Sequence, residues 1–357
     1  MIIYIIILMI LLLYLVLDKF TSRVSSFIVF LSIGSLIALM AGLRSSSVDR
    51  DYLPYVDYFQ SIKDFSFYFH NSYWTYAEPF YYFIPLFFKS ISNGYFIELT
   101  FLLFAILGVC FKLRGLYLLT PLWCLSLLLY YTNFYFLHEM TQIRIGVATG
   151  LFLIAINYYV KEYNVKSFIT ILIAIMFHYT SILMLVLFLL KRDTIKLSNY
   201  FIVIGISIIC YFLHVNSIVL ISKIASIPKI LVYIDLMSKG YHSEINVFNV
   251  MLLFNLMITL LLSYKINMIQ ELNKNAIVLL KLNLISIILF IALYSFPVAA
   301  FRLSELFGVV QIVLFTFLFY IFKEKWFSYV IIIIYSFLFF YMNLYRNNVL
   351  SDYKLIF

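Results

Sequence analysis

The chain alternates long apolar runs with short polar connections. Runs of roughly 17–23 apolar residues cover 1–17, 27–43, 95–111, 116–137, 142–160, 168–190, 199–220, 247–264, 276–296, 305–322 and 326–343. A membrane-spanning helix needs about 20 such residues, so the pattern predicts an all-α polytopic protein with about 10–12 transmembrane helices. The runs are continuous and do not alternate apolar with polar, which excludes a transmembrane barrel. Residues 1–17 are apolar from the start, with no basic stretch before them, and read as a retained helix. Segment 80–92 (FYYFIPLFFKSIS) is too short to cross and reads as a surface or re-entrant helix attached to the loop before it.

Lysine and arginine placement orients the segments. Lys19 and Arg23 mark the first connection as cytoplasmic, which puts residues 44–94 outside. Lys112 and Arg114 then fall inside, His138 to Arg144 outside, and Lys161 and Lys166 inside. If 168–190 crosses once, the basic cluster Lys191, Arg192 and Lys196 lands outside and the basic bias vanishes. If 168–190 instead enters and returns, the bias is restored, with a turn near Phe177-His178-Tyr179-Thr180-Ser181. Both readings stay open at this point. The re-entrant one makes 221–246, with Asp235, His242 and Glu244, a second external loop and sets Arg302 at the external end of its helix pair. No repeat or linker divides the chain, so residues 1–357 read as one integral membrane domain.

Composition agrees and narrows the class. Of 357 residues, 65% are hydrophobic and 11% charged, with a mean hydropathy of +1.05. No soluble core of this size hides that much apolar surface. The net charge of +9 fits basic cytoplasmic loops. No basic patch of the kind that grips a phosphate backbone is present, so nucleic acid is not an expected partner. Cys110, Cys124 and Cys210 sit inside apolar runs and read as packing residues.

Candidate chemistry gathers on the outer face. The first loop, RSSSVDRDYLPYVDYFQSIKDFSFYFHNSYWTYAEP, concentrates acids and tyrosines in an otherwise hydrocarbon-grade sequence. Asp49-Arg50-Asp51 has the form of a metal-holding Asp-x-Asp, but Asp51 equally starts a short helix with Pro54 in its first turn. In that helix Tyr52, Tyr55 and Phe59 share a face. Pro79 forces Glu78 into an extended conformation, which fixes its carboxylate. Rings that stack on sugar faces and acids that bind hydroxyls suit a carbohydrate. Arg44, Arg144 and Arg302, the last with Glu305 one turn on, fall at the same membrane face. Arginine near hydrocarbon costs about 2.5–3.5 kcal/mol at a helix centre, so it has a partner or a task. Planar guanidinium forks suit a pyrophosphate. His178 sits centrally in an apolar segment, either as an interhelical hydrogen-bonding residue or as a base at the floor of a cavity. His138 with Glu139 at a helix end is a weaker candidate for substrate binding.

These pieces together resemble the EpsG-type and Wzy-type O-antigen and exopolysaccharide polymerases. The resemblance rests on Arg44, Asp51-Tyr52 with Tyr55, Glu78-Pro79, Gln142-Ile143-Arg144 with Ala148, Phe177-His178-Tyr179-Thr180-Ser181, and Phe301-Arg302-Leu303. It runs in order from about 40 to 310. Many relatives have glycine before the aspartate–tyrosine pair, where this chain has Asp49-Arg50. The resemblance implies a glycosyltransferase that joins oligosaccharide repeat units carried on undecaprenyl pyrophosphate, at the outer face of the bacterial inner membrane. Expected partners are those lipid-linked glycans, the bilayer, and the chain-length regulator and flippase of the same pathway. No cofactor or metal is expected, since guanidinium groups can neutralise the leaving pyrophosphate. In this reading Arg144 and Arg302 bind the donor pyrophosphate and Arg44 assists. His178 and one of Asp51 or Glu78 act on the acceptor hydroxyl. Tyr52, Tyr55, His138 and Glu305 line the substrate. The competing readings are a single-sugar membrane transferase and a lipid-linked glycan flippase. A flippase of the transporter kind would show two similar halves, which this chain lacks.

Overall fold

The computed structural model describes residues 1–70, 73–92, 94–215 and 245–356. The loop expected over 221–246 lies outside the described residues, apart from its last two. The described residues are almost wholly helical and form no strand. Among the described residues, four helices are long and apolar enough to cross a membrane alone: Arg23–Gly42, Phe96–Leu119, Ile143–Val160 and Lys325–Arg346. Counting two bent pairs as spans raises the number to six, and further apolar helices run 10–17 residues. The chain is thus an all-α polytopic membrane protein, with several expected crossings realised as shorter helices.

Two compact units emerge, one of residues 1–190 with 315–357, the other of 191–314. The first opens with α1 (Ile2–Leu17) and α2 (Arg23–Gly42). Ser22 starts α2 by accepting the Ser25 N–H at 3.1 Å, which satisfies one of the orphan amides of a helix N-terminus. The loop helices α3 (Tyr52–Ser61), α4 (Phe65–His70) and α5 (Pro79–Ile91) follow. As expected, Asp51 is the N-cap residue of α3, and Glu78 is extended (φ −65°, ψ 146°) ahead of Pro79 at the start of α5.

The axis of this unit is α6 (Phe96–Leu119), about 36 Å long at 1.5 Å per residue. The chain returns through α7 (Trp123–Leu129), a π-helical stretch Tyr130–Tyr135, and α8 (Phe136–His138). A π-turn leaves carbonyls without helical partners. Asn343 caps two of them, those of Thr132 (3.0 Å) and Asn133 (3.2 Å). Then α9 (Ile143–Val160) runs parallel to α6, since Gly108 meets Gly146, Gly115 meets Leu153, and Asn157 bonds the Leu118 carbonyl. At Gly150 an added Cβ would lie 2.8 Å from Phe111 Cβ and 3.0 Å from the Lys112 amide, so glycine there lets two backbones approach as membrane helices commonly do.

This arrangement corrects one expectation. Lys112 and Arg114 do not lie in a cytoplasmic connection, because α6 runs unbroken through both. Lys112 is fully buried and meets Glu139, which charge placement assigned to the opposite side. A lysine neutralised by a carboxylate need not reach water, so it gives a false reading of loop position.

After α9 the chain forms a hairpin. The helix α10 (Asn164–Phe177) stops at His178 (φ −155°, ψ 115°), and a 3-10 helix, Tyr179–Leu189, runs back. Phe188 returns to within 6.2 Å of Phe168 and 5.6 Å of Tyr159. The turn at Phe177-His178-Tyr179 is therefore where the re-entrant reading put it.

The second unit holds α11 (Leu197–Phe212), α12 (Val250–Tyr264), α13 (Ile266–Leu272), α14 (Ala276–Ala292), α15 (Pro297–Gly308) and α16 (Gln311–Leu314). Its interior carries an amide–hydroxyl network: Asn283 donates to Thr259 (2.7 Å) and Asn255 (3.2 Å), and Gln311 donates to Asn283 (3.0 Å). The first unit resumes with α17 (Leu318–Ile321) and α18 (Lys325–Tyr341). Residues 350–356 then run along the first loop, through bonds from Ser45 N–H to Lys354 O (2.9 Å) and from Ser351 N–H to Val48 O (2.8 Å).

Candidate active site

Two sequence-distant residues converge on the Glu78 carboxylate. Glu78 opens α5, Arg144 sits in the first turn of α9, and His178 forms the hairpin turn. Arg144 Nη1 donates to Glu78 Oε2 at 2.6 Å. His178 Nδ1 lies 3.1 Å from Glu78 Oε1, which also takes the Tyr179 amide at 3.4 Å. Glu78 is 4% exposed and His178 8%, whereas the Arg144 side chain keeps 28% exposure. The Arg144 side chain is therefore both anchored and partly exposed.

The surroundings explain the convergence. Tyr179 donates its hydroxyl to the carbonyls of Trp74 (2.5 Å) and Ala77 (3.0 Å), which ties the hairpin to the residues just before Glu78. Tyr68 also donates to Ala77 (2.9 Å). Phe177 packs against Phe80 and Phe104. Beneath Arg144 lies the Tyr81 ring, its centre 4.2 Å from the guanidinium carbon, a cation–π contact. Tyr81 in turn stacks flat on Tyr58 at 4.2 Å. The sequence reading missed Tyr81, although its place one turn after Glu78 at the start of α5 was a usable signal.

Burial alone would raise the Glu78 pKa. The hydrogen bond from His178 and the charges of Arg144 and His178 outweigh it and hold the carboxyl down at about 2. Glu78 is therefore ionised and can only accept, so the proton in its bond to His178 sits on Nδ1. In the neutral ring that leaves Nε2 as the basic nitrogen.

The remaining candidates divide between the two units. Asp51 is half-exposed beside Arg50 at the start of α3. Tyr55 is buried edge-on to Tyr81, 6.0 Å from the Arg144 guanidinium, and so belongs to the aromatic wall of the site. Tyr52 stacks on Phe101 at 4.2 Å. Arg302 is exposed on α15 of the second unit, with Glu305 one turn further on.

Two expectations are corrected. Arg44 is wholly buried: Nε binds Asp49 at 2.8 Å, Nη1 binds the Ala41 carbonyl, and the guanidinium faces Phe101 at 4.9 Å. Asp49 Oδ1 accepts the Asp51 amide at 2.8 Å. This pair shapes the turn into α3 and has no surface to offer a substrate. His138 is likewise 0% exposed, held between Lys112 (3.4 Å) and Thr149 (3.3 Å) in the bundle interior. It lies at that depth because the α7–α8 return stops level with the middle of α6.

Arg44→Ala should thus act on folding and not on chemistry. Stranding Asp49 costs about 3–5 kcal/mol, seen as low protein levels and a lowered Tm. Removing both charges in Arg44→Met/Asp49→Leu should restore most of the folded protein.

The fold and site define a polytopic helical membrane protein with an anchored, partly exposed arginine beside an acid–histidine pair. A family model, the EpsG family, matches residues 27–355, and the chain belongs to that family of Wzy/EpsG-type polymerases. Neither a curated protein nor a solved structure matches the chain.

Proposed function

We propose that the protein is a polysaccharide polymerase that joins undecaprenyl-pyrophosphate-linked oligosaccharide repeat units at the outer face of the bacterial inner membrane. Membership of the EpsG family supports a glycosyl-transfer polymerase. The observation that carries the reading is the meeting of Arg144 and His178 on Glu78. Arg144 neutralises the pyrophosphate as it leaves, which is where charge develops in the transition state. His178 Nε2 takes the proton of the acceptor hydroxyl. The acceptor oxygen forms the new bond to the anomeric carbon, the bond from that carbon to the pyrophosphate oxygen breaks, and the electron pair departs with the pyrophosphate. Glu78 does not act as the base. It fixes the ring and the guanidinium and stabilises the imidazolium that forms. Half-exposed Tyr58, stacked on the buried Tyr81, offers the ring on which a sugar face rests.

Deleting the gene and resolving the surface glycan on a gel tests this. A polymerase loss leaves single repeat units at the surface. A flippase loss leaves no surface glycan, and a single-sugar transferase loss changes the repeat unit itself; either outcome overturns the proposal.

A further inference from the structure

A second buried polar cluster lies deeper in the first unit and has no part in the chemistry above. Lys112 Nζ binds Glu139 Oε1 at 2.7 Å and the Gly146 carbonyl at 3.2 Å. Tyr130, in the π-helical stretch, donates to the same Glu139 oxygen at 2.7 Å. The other oxygen, Oε2, rests in a notch made by two glycines, where an added Cβ would lie 2.6 Å away at Gly108 and 2.1 Å away at Gly146. Lys112, Tyr130 and Glu139 are each at most 1% exposed.

An ion pair in this setting is not explained by stability. Removing two charges from water costs several kcal/mol each, and apolar replacements are often neutral or stabilising. Its position is more informative. Glu139 opens the irregular turn 139–142 that breaks the chain between α8 and α9, and Gly146 lies in the first turn after it. Lys112 grips both sides of that break from one helix, α6. Arg144 lies between the two gripped points. The same α6 supports α5, which carries Glu78. Close packing on α6 holds the length of α9, so the residues that hold the preceding turn set its first turn, and a shift of about 1 Å in a reacting group costs on the order of 10²-fold in rate.

We propose that Lys112, Glu139 and Tyr130 are positioning residues that fix the turn 139–142 and thereby set the Arg144 guanidinium against Glu78. The assignment of a task to Arg144 rests on the polymerase reading; the pinning of the turn does not.

The test uses the full-length protein with Lys112→Met/Glu139→Gln, which removes both charges and keeps side-chain volume. Two readouts are taken. Backbone amide exchange should rise several-fold across 143–146 and stay unchanged in the N-terminal half of α6. Polymer yield should fall about tenfold at normal protein level and, when combined with Arg144→Ala, fall no further than Arg144→Ala alone, as expected of residues acting through one another. Tyr130→Phe leaves the ion pair in place and guards against misfolding of the double variant; it should show the same two changes at smaller size. Unchanged exchange at 143–146, or losses that multiply with Arg144→Ala, overturns the proposal. Raised exchange together with normal polymer in Arg144→Ala overturns the polymerase reading and leaves the pinning intact.

Discussion

Arg144→Ala is expected to lower polymerisation by about 10²–10³-fold, the usual cost of deleting one preorganised donor from a transition-state charge. The protein should still fold. Arg144 is partly exposed, and Glu78 keeps the His178 ring and the Tyr179 amide as partners when it goes. Cells carrying the variant should display single repeat units at wild-type protein level. Arg144→Lys should rescue little. An ammonium cannot hold Glu78 through one edge, rest on Tyr81 and present a further planar edge to a phosphate. Chain-length profiles on a surface-glycan gel, read beside protein abundance, check both variants.

Glu78 replacement should hurt in a different way. Glu78→Ala leaves a cation partly buried without its partner and a histidine without its orienting acceptor, a loss of about 3–5 kcal/mol. Folded protein and polymer should fall together. Glu78→Gln keeps the shape and isolates the charge. The native carboxyl titrates near 2, below its ordinary value of 4.5. A depressed carboxyl contributes stability above the unfolded value and loses it as pH falls through the folded one. The stability difference between the native protein and Glu78→Gln should therefore shrink as the pH falls from 4.5 toward 2. Thermal unfolding in detergent across that range measures it. A difference that stays flat across that range would mean that Glu78 carries an ordinary pKa, and one that grows as the pH falls would mean a raised one.

Much of this site was legible in the chain because its features are local. Glu78 ahead of Pro79 has few backbone choices, and the structure adopts the extended one. His178 announced the hairpin turn through the basic residues that follow at 191–196, which made a single crossing an awkward account. The misreadings share a cause: a charge says where it sits only if its partner is known. Arg44 looked available because Asp49 was read together with Arg50 and Asp51 as one motif, and because residues 350–356 gave no hint that they close over that turn. Lys112 looked like a loop residue because its partner, Glu139, lies 27 positions on and is brought level with it by the π-helical return. Helix lengths misled for a similar reason. Apolar character measures compatibility with lipid, and the hairpin arms at 164–189 are as apolar as the true spans while each is only 11–14 residues long.

The central claim is that one anchored arginine beside an acid–histidine pair carries the transfer of glycan from a lipid pyrophosphate. The most direct measurement reconstitutes the purified protein in liposomes with the lipid-linked repeat unit of its own pathway and follows chain length with time. The native protein should extend chains and release undecaprenyl pyrophosphate in step. Arg144→Ala and His178→Ala, at equal folded amounts, should do neither above about one part in a hundred. Chains of native length from either variant would contradict the account.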